Sequence, residues 1–357
     1  MNCHANRHSN PMSIRLRIAG PGIISAGQFR EAGMRVLVCG GAGYIGSHMV
    51  RHLVACGHDV VVFDNLSTGH REAVGAATLA VGDLLDPAAL QALFAAHRFE
   101  AVMHFCALSL VGVSVSEPYQ YYQNNVTGTL NLLLAMRAAG VGKLVFSSTA
   151  AVFGHPETEL IDETHPTRPI NPYGASKLMV ERILADAALA YGLRSMTLRY
   201  FNAAGADPSG EIGESHQPET HLIPNVLRAA LGNGSGLKVF GDDYATRDGT
   251  CVRDYVHVND LASAHWKGIE YMAAHDGAHV FNLGNGRGFT VLEVIEAASR
   301  VSGVQIAFER VPRRAGDPPV LVASSAKARE SLGWSPEFTD VNAIIESAWR
   351  WHQAPRY

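Results

Sequence analysis

The sequence predicts an α/β fold, a doubly wound parallel sheet with a smaller C-terminal α/β lobe. Three observations point there. Short apolar, β-branched runs such as "RVLVC" (35–39) read as strands covered on both faces, and they alternate with helix-like stretches as far as residue 149. The first run leads directly into Gly40, Gly43 and Gly46, which open a helix at three-residue spacing. Around Asn202 the alternation loosens into chain richer in Gly, Pro and loop residues, where a second lobe is expected to begin.

The elements follow in order. Residues 1–33 show little periodicity and no continuous apolar core of a signal peptide, so they are expected to be a dispensable extension, with Met34 the natural start. Strand 35–39, the glycine turn and the helix "YIGSHMVRHLVACG" form the first unit, followed by strand "DVVVF" (59–63), ending at Asp64. The glycines suit a tight turn, close backbone approach to a pyrophosphate, and a helix packed on its strand with its N-terminus toward the phosphates, which is the Rossmann-type dinucleotide site. Asp64 lies where a carboxylate accepts both adenosine ribose hydroxyls and repels a 2′-phosphate, so NAD is expected in preference to NADP. Strand "TLAVGDLLD" (78–86) with Asp83, helix "PAALQALFAAH", strand "EAVMHFCAL" (100–108), a long helix over 118–140 and strand "KLVFSST" (143–149) complete the alternation. His104, in a mostly apolar strand, reads as a hydrogen-bonded core residue. The expected domains are 34–200 for the dinucleotide and 201–357 mainly for the substrate, with some chain able to return to the first.

Composition excludes several classes. With 357 residues, 47% hydrophobic and 17% charged, the chain has room for one large domain and a smaller one. A formal net charge of −4 gives no general attraction to nucleic acid or acidic membranes, and no apolar run reaches the roughly 18 residues of a membrane-spanning helix. Five cysteines lack CxxC or Cys/His spacing and the other histidines show no ligand spacing, so neither a disulfide framework nor a metal is expected, and a reducing cytoplasm fits.

At "NPYGASK" (171–177), Tyr173 and Lys177 stand four apart after the turn-forming Asn171 and Pro172, on one face of the helix that would follow. By itself that spacing fits a solvated face as well as a catalytic pair. Together with "SSTAAVFG" (147–154) closing a strand upstream, it resembles the extended short-chain dehydrogenase/reductase family, whose Ser/Thr, Tyr and Lys set matches Thr149, Tyr173 and Lys177. A phenol with a reference pKa of about 10 needs its phenolate stabilised to act as a base near neutrality, and Lys177 with a cationic nicotinamide ring can do that.

Within that family the chain is similar to the UDP-glucose 4-epimerases from Met34 nearly to its end, through "GGAGYIGSH", "DNLSTGH", "YYQNNVTGTLNLL", "PYGASKLMVE", "LRYFNAAGADPSGEIGE", "GDDYATRDGTCVRDYVHVND", "FNLGNG" and "RRAGD". The resemblance implies NAD contacts from Tyr44, Ile45, Asp64, Asn65, Asp83, Phe105, Ala107, Asn124, Tyr173, Lys177 and Phe201, beside the glycines. It implies nucleotide-sugar contacts from Asn202, His221, Leu222, Phe240, Arg253, Arg314 and Asp317. The two arginines suit a diphosphate clamp, or else ordinary ion pairs with Asp254 or Asp317; Asn202 suits a phosphate or sugar contact, or a turn.

Two departures stand out: Ser109 where some members carry a Lys, and Leu321 where some epimerases place a Tyr beside the sugar. Ala150 and Ala151 replace the Asp-Glu pair of the 4,6-dehydratases, which argues against dehydration. The resemblance implies interconversion of UDP-galactose and UDP-glucose through a 4-ketopyranose, in a homodimer packed through the helices near 118–139 and 173–191. Leu130, Leu134, Leu184 and Ala188 are set either for that seam or for the sheet. Other UDP-sugars (N-acetylated, pentose or glucuronate) and a non-enzymatic NAD-sensing role remain alternatives.

Overall fold

The computed structural model describes residues 33–233, 236–314 and 317–357, so the expected extension over 1–33 lies outside the described residues except for Gly33. The centre is a seven-stranded parallel sheet in the order Ala278–Leu283, Arg194–Tyr200, Lys143–Thr149, Ala101–His104, Arg35–Cys39, Asp59–Asp64 and Thr78–Val81. From Arg35–Cys39 the chain winds outward through Asp59–Asp64 and Thr78–Val81, then crosses back to Ala101–His104 on the other side. The reversal opens a crevice at the carboxyl ends of the strands, where open α/β sheets take ligands.

The sheet is apolar on both faces because both are covered. Val36, Val38, Val60, Val62, Met103 and Met196 face one core with Met49, Leu53, Leu261 and Ile269, from helices Tyr44–Ala55 and Val258–Ala274. Leu37, Cys39, Val61, Phe63, Val102 and Phe146 face the other, with Leu90, Leu132, Val180 and Leu184 from helices Pro87–Ala96, Gly128–Ala139 and Pro172–Tyr191. Alternate residues of one strand thus feed two cores.

Strands 78–86 and 100–108 are shorter than the sequence suggests, ending at Val81 and His104, because the chain then turns out of the sheet to form the crevice rim. The single helix expected over 118–140 is three pieces: Pro118–Tyr121, a π-helical turn Tyr122–Thr127, and Gly128–Ala139. The last sheet strand, Ala278–Leu283, and the helix before it come from beyond residue 201 and complete the first layer system. The other elements of that half form short sheets and a third core among helices Leu222–Ala230, Val291–Ser302 and Val341–Gln353. Among the described residues no helix is long and apolar enough to cross a membrane.

Candidate active site

The glycine turn is built for three different reasons. Gly40 has φ of +80°, and a Cβ there would meet the Cys106 nitrogen at 2.8 Å. At Gly46 a Cβ would lie 2.0 Å from the Gly40 carbonyl, so only glycine lets the helix seat on its strand. Gly43 is different, since its Cβ would find only the Gly40 oxygen, at 3.5 Å. No protein atom requires a glycine there, and the open side is the space above the helix N-terminus. Gly43 caps helix Tyr44–Ala55 without a side-chain hydrogen bond, and the first turn has no acidic residue, so its outward N–H groups and positive dipole end suit a phosphate.

Beside this turn, Asp64 is buried, one carboxylate oxygen accepting from the Ala42 N–H at 3.0 Å and the other from the Leu66 N–H at 2.8 Å. Each oxygen keeps a lone pair for a further donor. Asn65 donates to Asp83 at 2.8 Å, fixing both at the ends of neighbouring strands. Phe105 packs on His265, and the following Ala107 lies in the loop secured by Asn125, whose oxygen accepts from the Leu108 N–H at 2.9 Å while its amide donates to the Leu108 carbonyl and to Ser176, each at 3.0 Å. Asn124 donates to the same Asn125 at 2.9 Å. A glycine without a protein reason at position 43, capless N–H groups and a carboxylate on the next strand together fit a dinucleotide. His104 is buried and meets Thr129 at 2.9 Å, as a core histidine does. Ser109 is exposed on the same rim.

Thr149 ends the central strand Lys143–Thr149, its hydroxyl accepting from the Ala151 N–H at 3.1 Å. Tyr173 and Lys177 stand on the first turns of helix Pro172–Tyr191, which Asn171 caps by accepting from the Gly174 N–H at 2.8 Å. Burial pushes the Tyr173 phenol up to about 12, and the Thr149 hydroxyl beside it pulls the other way. Lys177 is buried and donates to the Ser147 carbonyl at 2.7 Å, its ammonium 4.7 Å from the centre of the Phe146 ring. Burial lowers it to about 8, against the pull of Cys106 and Glu181. The bond to the Ser147 carbonyl uses one of the three ammonium hydrogens and ties Lys177 to the strand that ends at Thr149. A turn below, Glu181 forms a buried pair with Arg199, Nε at 3.0 Å, and accepts from Ser148. The sequence reading did not single out this clamp of helix to strand; Glu181, four residues after Lys177 on one helix face, was its only linear trace.

The substrate candidates collect on the second half of the rim. Leu321 packs with Phe201, Ala150 and Leu178 around Val152, Phe153 and Ile161, and of these Ala150, Val152 and Phe153 follow Thr149 in the chain. Its strand pairs Leu321 with Arg253. Arg253 donates to the Pro318 carbonyl at 2.9 Å and pairs with Asp317 at 3.4 Å. Asp254 turns away from it and accepts backbone N–H groups of Asn285, Gly286 and Ala323. Desolvation holds that carboxyl up at about 6 despite these donors. Arg314 is exposed and lies 3.9 Å over the Phe240 ring. Asn202 gives its side-chain amide to the Asp254 carbonyl at 2.8 Å, the bond of a residue securing strand to strand. His221 caps helix Leu222–Ala230, whose first residue is Leu222. Folding also gathers Glu214, His216, Glu219 and His221, whose linear spacing resembles no common ligand motif, to within 4.8 Å of one another.

Residues 36–284 match the NAD dependent epimerase/dehydratase family. The chain is 51% identical over 321 residues to the UDP-glucose 4-epimerase of Lacticaseibacillus casei, covering 90% of this chain and 97% of that protein. Among solved structures it is similar to the UDP-glucose 4-epimerase from Brucella ovis in complex with NAD, at 48% identity and a TM-score of 0.87, covering 89% of this chain and 98% of that one. It is also similar to the UDP-Glc/GlcNAc 4-epimerase from Campylobacter jejuni, at 43% identity and a TM-score of 0.80, covering 90% and 99%.

Proposed function

The chain belongs to the NAD dependent epimerase/dehydratase family, among its UDP-glucose 4-epimerases, and from that membership we propose that it interconverts UDP-galactose and UDP-glucose by inverting carbon 4 of the sugar. The carrying observation is Thr149 at the end of its strand with Tyr173 and Lys177 on the first turns of helix Pro172–Tyr191, Lys177 tied to that strand, at the carboxyl edge of the same sheet whose glycine turn suits a dinucleotide. Bound NAD would supply the hydride acceptor for carbon 4 that the protein's own side chains lack. The protein's part is proton transfer and positioning. Tyr173 takes the 4-hydroxyl proton, with Thr149 hydrogen-bonding the reacting oxygen as relay, and later returns it. A phenol near 12 is a poor base at neutral pH, and a cation such as Lys177, one helical turn on from Tyr173, would favour the phenolate as the proton leaves.

Inversion requires the 4-ketosugar to turn over while the nucleotide stays fixed. Arg253, held by Pro318 and Asp317, and Arg314 over Phe240 suit the diphosphate end. Ala150, Phe201 and Leu321 give the sugar end an apolar wall with few hydrogen bonds to resist rotation. Ala150 and Ala151, following Thr149, offer no acid for eliminating water. Incubation with UDP-galactose and no added NAD is expected to yield UDP-glucose. Failure of the NAD-loaded protein to do so sinks the assignment.

A second reading concerns range. Leu321, in place of a larger phenol ring, supports room for a C2 acetamido group, and with it turnover of UDP-GlcNAc and UDP-GalNAc. A homodimer is supported by exposed apolar side chains on neighbouring helices: Val115, Tyr119, Leu130, Leu134, Met179 and Leu189. Leu184 is not part of that face, being buried against the sheet, and Ala188 is half-buried. Light scattering at micromolar concentration should give twice the chain mass, whereas a monomer mass removes the dimer. Cytoplasmic residence is supported by the thiols Cys39, Cys56, Cys106 and Cys251, none of them in a disulfide among the described residues.

A further inference from the structure

The loop leading into helix Leu222–Ala230 contains a cluster that takes no part in the proton transfer, and of its members only His221 is also a nucleotide-sugar candidate. Glu214, His216, Glu219 and His221 each offer one donor atom, all within 4.8 Å of one another. Oε1 of Glu214 faces both imidazoles, 3.1 Å from His216 Nδ1 and in close contact with His221 Nδ1. Glu219 is held from behind, its Oε1 accepting from the N–H groups of Thr220 at 2.7 Å and His221 at 2.8 Å. Its Oε2 has no hydrogen-bond partner, although the side chain is only 1% exposed and the atom lies 3.8 Å from His216 Nδ1. The Glu214 side chain is likewise only 4% exposed.

Hydrogen bonds alone explain half of this arrangement. Both histidines can donate to Glu214, but that leaves a second carboxylate oxygen buried, unpaired and aimed at the same spot, which costs several kcal/mol. A divalent cation removes the cost, because it balances two carboxylates and accepts a lone pair from all four groups.

We propose that Glu214, His216, Glu219 and His221 form a structural site for one zinc-class divalent cation. Two imidazole nitrogens with two carboxylate oxygens suit zinc, whereas magnesium and calcium favour all-oxygen shells. Tetrahedral ligands at about 2.0–2.2 Å from the metal stand roughly 3.3–3.6 Å apart. The His216 separations of 3.1 and 3.8 Å from the two carboxylates bracket that spacing, the His221–Glu214 contact has to open, and all four donors already lie within 4.8 Å of one another. Four protein donors fill the shell, so the ion is structural. It ties down His221, the cap of helix Leu222–Ala230, and bears on Tyr44, whose ring meets His216 edge-on at 6.2 Å and whose hydroxyl donates to the Gly205 carbonyl at 2.6 Å. The ion would thus fasten the loop of the substrate half to the first residue of the dinucleotide helix. The inference does not depend on the identity of the sugar.

The full chain, stripped with a chelator and exchanged into metal-free buffer, is titrated with zinc chloride by calorimetry, with elemental analysis of the refilled protein. The expected result is one zinc per chain, a thermal midpoint raised by zinc and lowered again by chelator, and a weaker response to magnesium. Glu219→Gln keeps the shape and His216→Gln keeps a polar group. Each is expected to weaken zinc by at least about 10- to 100-fold, while its metal-free midpoint stays near that of the metal-free parent. Zinc well below one equivalent, magnesium bound as tightly as zinc, or zinc undiminished in both variants overturns the site.

Discussion

At the scale of single residues, the site separates chemistry from selectivity. Tyr173→Phe removes one buried oxygen and keeps the ring, so the fold and bound NAD are expected to survive while turnover falls by about 10²- to 10⁴-fold, the range of general acid–base catalysis. Steady-state rates with UDP-galactose, alongside the absorbance of retained cofactor, check this; parent-like turnover removes Tyr173 from the reaction. Leu321 packs with Phe201, Ala150 and Leu178 and carries no group that could move a proton. Leu321→Tyr is therefore expected to suppress UDP-GlcNAc turnover selectively and leave UDP-galactose turnover within a few-fold. Equal loss on both sugars, or no UDP-GlcNAc turnover in the unmodified chain, defeats the single-residue account. Tyr173 was legible in the sequence because its partner follows at i+4. The Lys177 bond to the Ser147 carbonyl was not, because nothing in the helix spacing says which neighbour a long side chain will choose.

At the scale of elements, the first βα unit makes a contrast that two glycines can test. Gly46→Ala drives a methyl to 2.0 Å from the Gly40 carbonyl, so the helix must lift off its strand; the thermal midpoint is expected to drop sharply, with NAD lost as a consequence. Gly43→Ala meets only an ordinary contact at 3.5 Å, so stability should stay within about 1 kcal/mol, the scale of a cap substitution, while NAD affinity falls at least tenfold. Denaturation midpoints and NAD titration of the stripped proteins separate the two. A Gly43→Ala protein that binds NAD like the parent shows that the open side faces no phosphate. Strands such as Lys143–Thr149 were legible because burial on both faces writes an unbroken apolar run. The π-helical turn Tyr122–Thr127 was not, because the one-residue shift in register falls within "YQNNVT", which has too few apolar positions to show it; Asn125 in that turn holds the rim loop. Strand Ala278–Leu283 was equally hidden, because its pairing with Arg194–Tyr200 is a long-range contact with no local mark.

At the scale of the whole molecule, the buried histidines set how the protein responds to acid. His48, His265, His104 and His257 are all at most 2% exposed. Burial is the leading cause that lowers the first two to about 4 and the other two to about 3. The geometry explains why. His48 and His265 each donate one ring nitrogen to a backbone carbonyl at 2.7 Å, of Tyr44 and Leu261, and His104 meets Thr129 at 2.9 Å. In each ring the second nitrogen has no partner, so a second proton would be an N–H with no acceptor. His257 accepts from the Asn259 N–H at 3.1 Å, a bond that protonation would break. In the unfolded chain the same rings take a proton near pH 6.5. Their contribution to stability is therefore complete above about pH 6.5 and is lost as pH falls toward about 4, at up to about 1.4 kcal/mol per pH unit for each ring, because the unfolded state binds the protons. Urea midpoints are expected to fall steadily between pH 7.5 and 5.0, and His265→Gln should flatten the slope by about one proton. A midpoint independent of pH across that window would mean that these four rings are protonated in the folded protein.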